Sequence, residues 1–316
     1  MEFLAQKIAI GIGQALFVLL SAPLFTSLMK KVKAHFQCRF GPGLLQGYYD
    51  IWKLLKKDAV ISEHASWVFK TTPYVVFSAT FIAAVIVPSF AVVLPTAGIG
   101  DAIIVIYLLG LARFFTAIAG LDTGSSFGGM GSSREMMISS LAEPVTMTGL
   151  FVLAAAAGST DFGGIITKSL VTGHVQPAYL LLFPAFLIIA VAETGRVPVD
   201  NPATHLELTM VHEAMILEYT GRHLALIEWA GALKLTLLLT IIANVFFPWG
   251  IAESMAWPAV MVGIFAITAK VGLLAIGIAA MESMIAKLRL FRVPELIGGA
   301  FALAMLALII RTTGIG

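Results

Sequence analysis

Seven ionisable residues, Arg113, Glu143, Glu193, Glu228, Lys234, Lys270 and Glu282, fall inside or at the ends of long apolar stretches. An unpaired charge at the centre of such a stretch costs at least about 2.5–3.5 kcal/mol in a bilayer, so each needs a partner or water. Glu143 is the central acid, and Lys234 and Lys270 are the central bases. Carboxylates and lysines held in this way either fasten a kinked helix bundle with ion pairs or pass protons along a hydrated path. Glu228 and Lys234 stand six residues apart on different faces of one helix, so each looks to another helix for its partner.

A second concentration of acid lies in "ETGRVPVDNPATHLELTMVHEAMILEYTG", residues 193–221. Here Glu193, Asp200, Glu207, Glu213 and Glu218 stand with His205 and His212, and Arg196 is the only basic residue. Clustered carboxylates raise one another's proton affinity, and histidine titrates near neutrality, which suits proton handling. A solvated acidic face with paired histidines is the structural alternative. A metal site is not expected, because no HExxH spacing occurs.

The elements that must position these groups are transmembrane helices. The chain has 316 residues, of which 59% are hydrophobic and 12% charged, with a mean hydropathy of +0.95. Soluble chains carry roughly a quarter charged residues, so the composition reads as integral membrane and does not suggest nucleic acid. Cys38 is the sole cysteine, which excludes an internal disulfide and any CxxC motif. A bilayer core needs about 20 apolar residues per helix. Eight stretches qualify, near 6–29, 72–95, 101–120, 137–158, 176–195, 225–248, 256–280 and 294–312, giving one all-α transmembrane domain over 1–316. The first is too long in its apolar run for a cleaved signal and is expected to be retained. Most Lys and Arg residues follow spans one, three, five and seven, whereas the opposite side carries only Lys7, Lys168 and Arg311. The positive-inside rule therefore places the odd loops in the cytoplasm and both termini outside.

Two cytoplasmic segments are unlike passive loops. From Leu44 to Lys57 the apolar residues recur at three and four, predicting an amphipathic helix in the interface plane. It is either a lipid anchor or a docking element beside the fixed turn Arg39-Phe40-Gly41-Pro42-Gly43. The stretch "GLDTGSSFGGMGSSREMM", 120–137, is rich in glycine and serine and lacks the GxxxxGK phosphate-binding spacing. It reads as a linker or as a loop folded against a partner. No inverted internal repeat of the transporter kind is visible.

"RFGPGLLQGYYDIWKLLKKD", the Gly-rich stretch running into "SSREMMISSLAEP", and "AETGRVPVD" followed by "LEYTG" occur in order over nearly the whole chain. In this they resemble subunit one of respiratory complex I, and "ARFFTAIAGLDTGSSF" with "GSSREMM" is most similar to the hydrogenase branch found in formate hydrogenlyase and hydrogenase-4 complexes. The resemblance implies a non-catalytic membrane subunit of a prokaryotic inner-membrane oxidoreductase, with no catalytic or metal-binding residue and no cofactor of its own. Its implied partners are hydrogenase-like large and small subunits, an iron-sulfur subunit and antiporter-like membrane subunits, with iron-sulfur clusters and a nickel-iron centre in those partners.

Residue by residue, the resemblance assigns Arg39, Gly41 and Pro42 to a docking loop and Arg196 and Asp200 to the chamber; Arg134, His205 and His212, in the same cytoplasmic segments, are expected to be docking or chamber residues. The resemblance places Glu143, Glu193 and Glu218 on the acidic entry and axis of a proton path, which the charge pattern extends to Glu207, Glu213, Lys234 and Lys270. The run "NPATHLELTMVHEAMILEY", with His205 and His212, departs from the acid-rich segment usual in that family, which argues against quinone binding and leaves open a hydrogenase-related complex whose catalytic subunit has lost hydrogen chemistry; a quinone-reactive subunit of a complex I-like enzyme is the competing expectation.

Overall fold

The computed structural model describes residues 2–63, 65–92, 101–172, 177–201 and 210–313. Eleven α-helices occur among them: α1 Glu2–Phe36, α2 Gln46–Leu55, α3 Trp67–Ile86, α4 Ala102–Asp122, α5 Ser126–Ala157, α6 Phe162–Thr172, α7 Pro177–Glu193, α8 His212–Ile216, α9 Gly221–Phe246, α10 Trp257–Met284 and α11 Val293–Thr313. Seven of them are long and apolar enough to cross a membrane. The expected fifth span is the 17-residue helix α7. At 1.5 Å per residue it is about 25 Å long, short for a bilayer core, because the Thr194-Gly195 turn ends it with Gly195 at φ 57°. The protein is all-α and multi-pass.

Local chemistry sets the helix ends. Ser66, Asp101 and Ser125 accept hydrogen bonds from the backbone N–H groups of Val68, Ile103 and Gly128, capping α3, α4 and α5, which satisfies donors left free in a first turn. Pro23, Pro73, Pro144 and Pro184 sit inside helices. Such breaks are tolerated where neighbouring helices and hydroxyls satisfy the freed carbonyls.

α9 is the hub. Its apolar window is 67% buried, against 28–50% for the other long helices, and it packs on α1, α2, α3, α7 and α10. Outward-facing Leu20, Tyr107, Phe151, Leu180, Phe265 and Leu273 are exposed, as expected of a surface that meets lipid. The alternation of spans gives the bundle two ends. The near end gathers residues 37–63, 65–66, 123–125, 194–201, 210–220 and 285–292, tied by the bonds Ser66 N to Asp122, Val60 N to Thr220 and Leu288 N to Pro198 O. Gly221, at φ 55°, lets α9 begin against residue 58, since a side chain there would collide with the Asp58 carbonyl. The far end is tied by the isolated bridges Ala91–Ala252 and Asp101–Asp161.

The Gly-rich stretch is not a loop. α4 runs to Asp122 and α5 starts at Ser126, leaving only three residues between them. A Cβ at Gly131 would stand 2.8 Å from the Ala214 Cβ and from the Val211 carbonyl, so glycine there permits α8 to lie directly on α5. The amphipathic helix is present as α2, with no buried residue. It is held on α1 by Gly47 N donating to Ser27 Oγ at 3.0 Å and by the Tyr48 hydroxyl donating to the Leu20 carbonyl.

Candidate functional site

Four spans bring their charges to one point. Arg113 on α4 contacts Glu143 on α5 at 2.9 Å, Glu135 on α5 at 3.7 Å and Glu193 at the end of α7. Lys234 on α9 contacts the same Glu193 oxygen at 2.9 Å. Three carboxylates thus meet two cations. Arg113 stands nine residues inside the near end of α4, about 14 Å deep. Its side chain is 7% exposed, as is that of Glu193, whereas Glu143 is 50% exposed and faces out of the bundle.

Arg113 Nε is buried with no hydrogen-bond partner among the described residues. A cavity of about 70 Å³ is lined by Arg113, Glu135, Glu193 and Lys234, with Thr80, Thr116 and His212. It is polar enough and has room for more than one water molecule. Thr194, His212, Ile227 and Gly231 line it and also line a far larger open chamber of about 840 Å³ between α1, α2, α9 and α10.

Nine of the 27 residues lining the chamber carry charge, among them Lys33, Arg39, Arg196, Asp200, Glu213 and Glu282. Glu282 bridges Lys33 at 3.4 Å and Arg196 at 3.1 Å. Asp200 pairs with Lys287 at 2.7 Å and accepts the His212 backbone N–H at 3.2 Å. The chamber wall is therefore a set of interlocked ion pairs joining α1, α10 and the loop after α7.

The expected site residues separate into groups. Glu143, Glu193 and Lys234 come together. Arg39, Arg196, Asp200, His212 and Glu213 line the chamber. Gly41 backs onto α1, where an added Cβ would lie 3.0 Å from Lys31 Cα, and Pro42 passes the chain on towards α2. Arg134 lies on α5 and donates to the Met210 carbonyl at 2.7 Å. Glu218 is exposed and is not among the lining residues of either cavity. Its neighbour Tyr219 is buried, stacks on Phe69 at 3.9 Å and donates to the Phe69 carbonyl at 2.9 Å. Burial pushes the Tyr219 phenol above the usual tyrosine range, and Asp122 adds to the rise. His205 and Glu207 lie outside the described residues.

Lys270 is not part of the cluster. Its partner Asn244 is ten residues beyond Lys234 on α9, about 15 Å further along the helix. Conversely, Arg113 and Glu135 belong to the cluster, Lys33 and Glu282 line the chamber, and Lys287 pairs with Asp200 in its wall, none of which the sequence alone assigns to the site. Arg113 carried a usable signal, being an arginine within an apolar span. Glu135 carries none, because the Gly- and Ser-rich sequence before it has the character of a loop.

Comparison with known proteins bears on the same regions. A family model described as NADH dehydrogenase matches residues 10–313. Hydrogenase-4 component C of Escherichia coli (strain K12) is 35% identical over 308 residues, covering 96% of this chain and 96% of that protein. Formate hydrogenlyase subunit 4 of the same organism is 35% identical over 297 residues, covering 94% and 96%. Among solved structures, a chain of the membrane-bound sulfane sulfur reductase, an archaeal respiratory membrane complex, superposes with a TM-score of 0.84 at 16% identity over 98% of this chain and all of that one. At that identity the likeness is one of fold.

Proposed function

The chain belongs to the NADH dehydrogenase family, that of complex I subunit one, and from that membership we propose that it is the membrane subunit that docks soluble hydrogenase-type subunits and couples their electron transfer to proton movement. The observation that carries this reading is the Arg113–Glu135–Glu143–Glu193–Lys234 cluster beside a chamber open at the near end. A change of charge in a partner seated over the chamber would act on Asp200, Glu213 and Glu282 in its wall. From there it would pass through the lining shared at His212 and Thr194 to Glu193.

The near end faces the cytoplasm on this reading, in an inner membrane, since the basic residues concentrate there. The exposed apolar face of α2, with Trp52 and Leu55, and the Arg39 turn form the docking rim. Glu143, half exposed on a membrane helix, calls for a neighbouring membrane subunit to cover it, because a carboxylate facing lipid is costly. Iron-sulfur clusters and a nickel-iron centre would reside in the soluble partners.

The competing quinone reading is weakened by the chamber lining. Small-molecule pockets are lined mostly by apolar groups with a few polar ones, whereas a third of this lining is charged. The test is metal and subunit analysis of the intact complex purified on this chain. Nickel with a hydrogenase large subunit supports the proposal, and iron without nickel together with copurified quinone overturns it.

A further inference from the structure

The far end holds a buried polar network in which Lys270, at 4% exposure, is the only charged member. Its ammonium donates to the carbonyls of Phe247 at 2.9 Å and Trp249 at 3.1 Å and to Asn244 Oδ1 at 3.1 Å, so all three protons are used. Asn244 Nδ2 donates onward to the carbonyls of Pro88 and Ser89 at 2.9 and 2.7 Å. Ser89 donates through N and Oγ to Gln14 Oε1 at 2.6 and 3.0 Å, and Gln14 Nε2 donates to the Ala91 carbonyl at 3.0 Å. Gln14, Ser89 and Asn244 are 0–1% exposed. The network joins α1, α9, α10 and the segments after α3 and α9.

Every oxygen that accepts from the ammonium among the described residues is neutral. Among the described side chains at this end, the carboxylates Asp101 and Asp161 cap the first turns of α4 and α6 by accepting from Ile103 N and Gly164 N, and Glu253 is exposed. None forms an ion pair with Lys270 among the described residues, and segment 93–100 has no ionisable residue. The Trp249 ring covers the ammonium, with its centroid at 5.4 Å. On α9 the two near-end cavities are lined no further than Leu235, and Leu237, Leu239, Ile241, Ile242 and Ala243 beyond it are buried.

We infer that Lys270 is an electrostatic plug: a buried cation, paired with no carboxylate among the described residues, that closes the far end of the bundle to protons. A positive charge in a dry, low-dielectric constriction repels an entering proton strongly, and charged barriers of this kind exclude protons from other membrane pores. The role rests on the reading of the near-end cluster as the proton-handling site. It complements that reading by preventing protons that reach the cluster from running straight through this subunit.

The test uses the intact complex in proteoliposomes with no electron donor, a potassium diffusion potential set by valinomycin, and a trapped pH dye. Parent and Lys270→Arg vesicles are expected to be tight, and Lys270→Gln is expected to raise passive proton entry at least about tenfold. Lys270→His provides a graded test within one folded protein: burial lowers the proton affinity of an imidazole there, so the vesicles leak at pH 8.5 and tighten only as the pH is lowered below about 6. Tight Lys270→Gln vesicles at parent protein content, or a pH-independent leak in Lys270→His, overturn the inference. So does a loss of turnover-driven pumping in Lys270→Gln with vesicles still tight, which would make Lys270 a proton carrier. Because the leak is measured without turnover, failure of the plug leaves the near-end coupling reading standing.

Discussion

Replacing Glu193 by glutamine tests whether the cluster moves protons or merely holds helices. Glu193 receives Arg113 and Lys234 together, the latter at 2.9 Å. At an effective dielectric of about 20, two unit charges at that distance attract by about 6 kcal/mol, much of it offset by desolvation. Removing one partner of a buried pair costs about 3–5 kcal/mol. Glutamine keeps the size and one acceptor oxygen, so a loss of about 3 kcal/mol is expected, seen as earlier melting of the detergent-extracted complex. Proton translocation by the reconstituted complex should fall to background. The decisive variant is the double change Glu193→Gln with Lys234→Met. It removes both members of one pair, and removing both is often neutral in stability. A purely structural pair predicts that stability and translocation recover together. Proton handling predicts a recovered melt with translocation still absent, so a stable double variant that pumps at the parent rate refutes the coupling role of Glu193.

Glu143→Gln removes a half-exposed carboxylate, so stability is expected to change by no more than about 1 kcal/mol, while translocation falls roughly a hundredfold, the scale of losing one positioned proton-transfer group; unchanged translocation would take Glu143 off the path. Gly131→Val places a side chain where a Cβ already lies 2.8 Å from Ala214 and Val211, and such overpacking costs about 1–3 kcal/mol, read as a lower yield of assembled complex. Gly129→Ala, whose Cβ would meet only the Leu121 side chain at 4.0 Å, is the neutral control; equal yields for both would show that α5 does not pack on α8 as described. Tyr219→Phe loses the bond to the Phe69 carbonyl, about 1 kcal/mol, but keeps the ring stack. Burial raises the Tyr219 phenol, so the folded protein holds that proton more tightly than the unfolded chain. The contribution is level below about pH 10 and declines above it; alkaline melting curves of Tyr219→Phe should decline less steeply.

Hydropathy made most of the fold legible because bilayer thickness imposes a length and a composition that few other constraints disturb. What escaped was helix continuity at the near end. Gly128, Gly129 and Gly131 look like a linker one residue at a time, yet in a bundle small residues are where backbones approach most closely, and the same glycines that lower helix propensity permit α8 to lie on α5. Misplacing that helix start hid Glu135, which reaches Arg113 only because α5 begins at Ser126. The acids and bases of the cluster were visible as expensive residues in apolar spans, but spacing along one helix cannot say which residue on another helix answers them. Lys270 shows the limit most clearly. As a buried lysine it looked equivalent to Lys234, and only the arrangement of Asn244 and the end of α9 separates a lysine held by neutral carbonyls from one held by a carboxylate.

That separation bears on the direction in which charge can leave the protein. The near half of the bundle contains two neighbouring cavities, interlocked ion pairs and a cluster with one carboxylate more than it has cations. The far half contains buried aliphatic residues on α9 and a cation whose three protons are all engaged. On the proposed coupling reading, a proton reaching Glu193 would meet a rising barrier along the bundle axis, whereas Glu143, joined to the same Arg113, is half exposed on the outer surface. On that reading the lower-energy exit would be sideways, through Glu143 into whatever covers it. Energy conversion by such a subunit then depends on a membrane neighbour presenting a proton acceptor at that face, and isolating this chain from its neighbours should abolish translocation even where the cluster is intact.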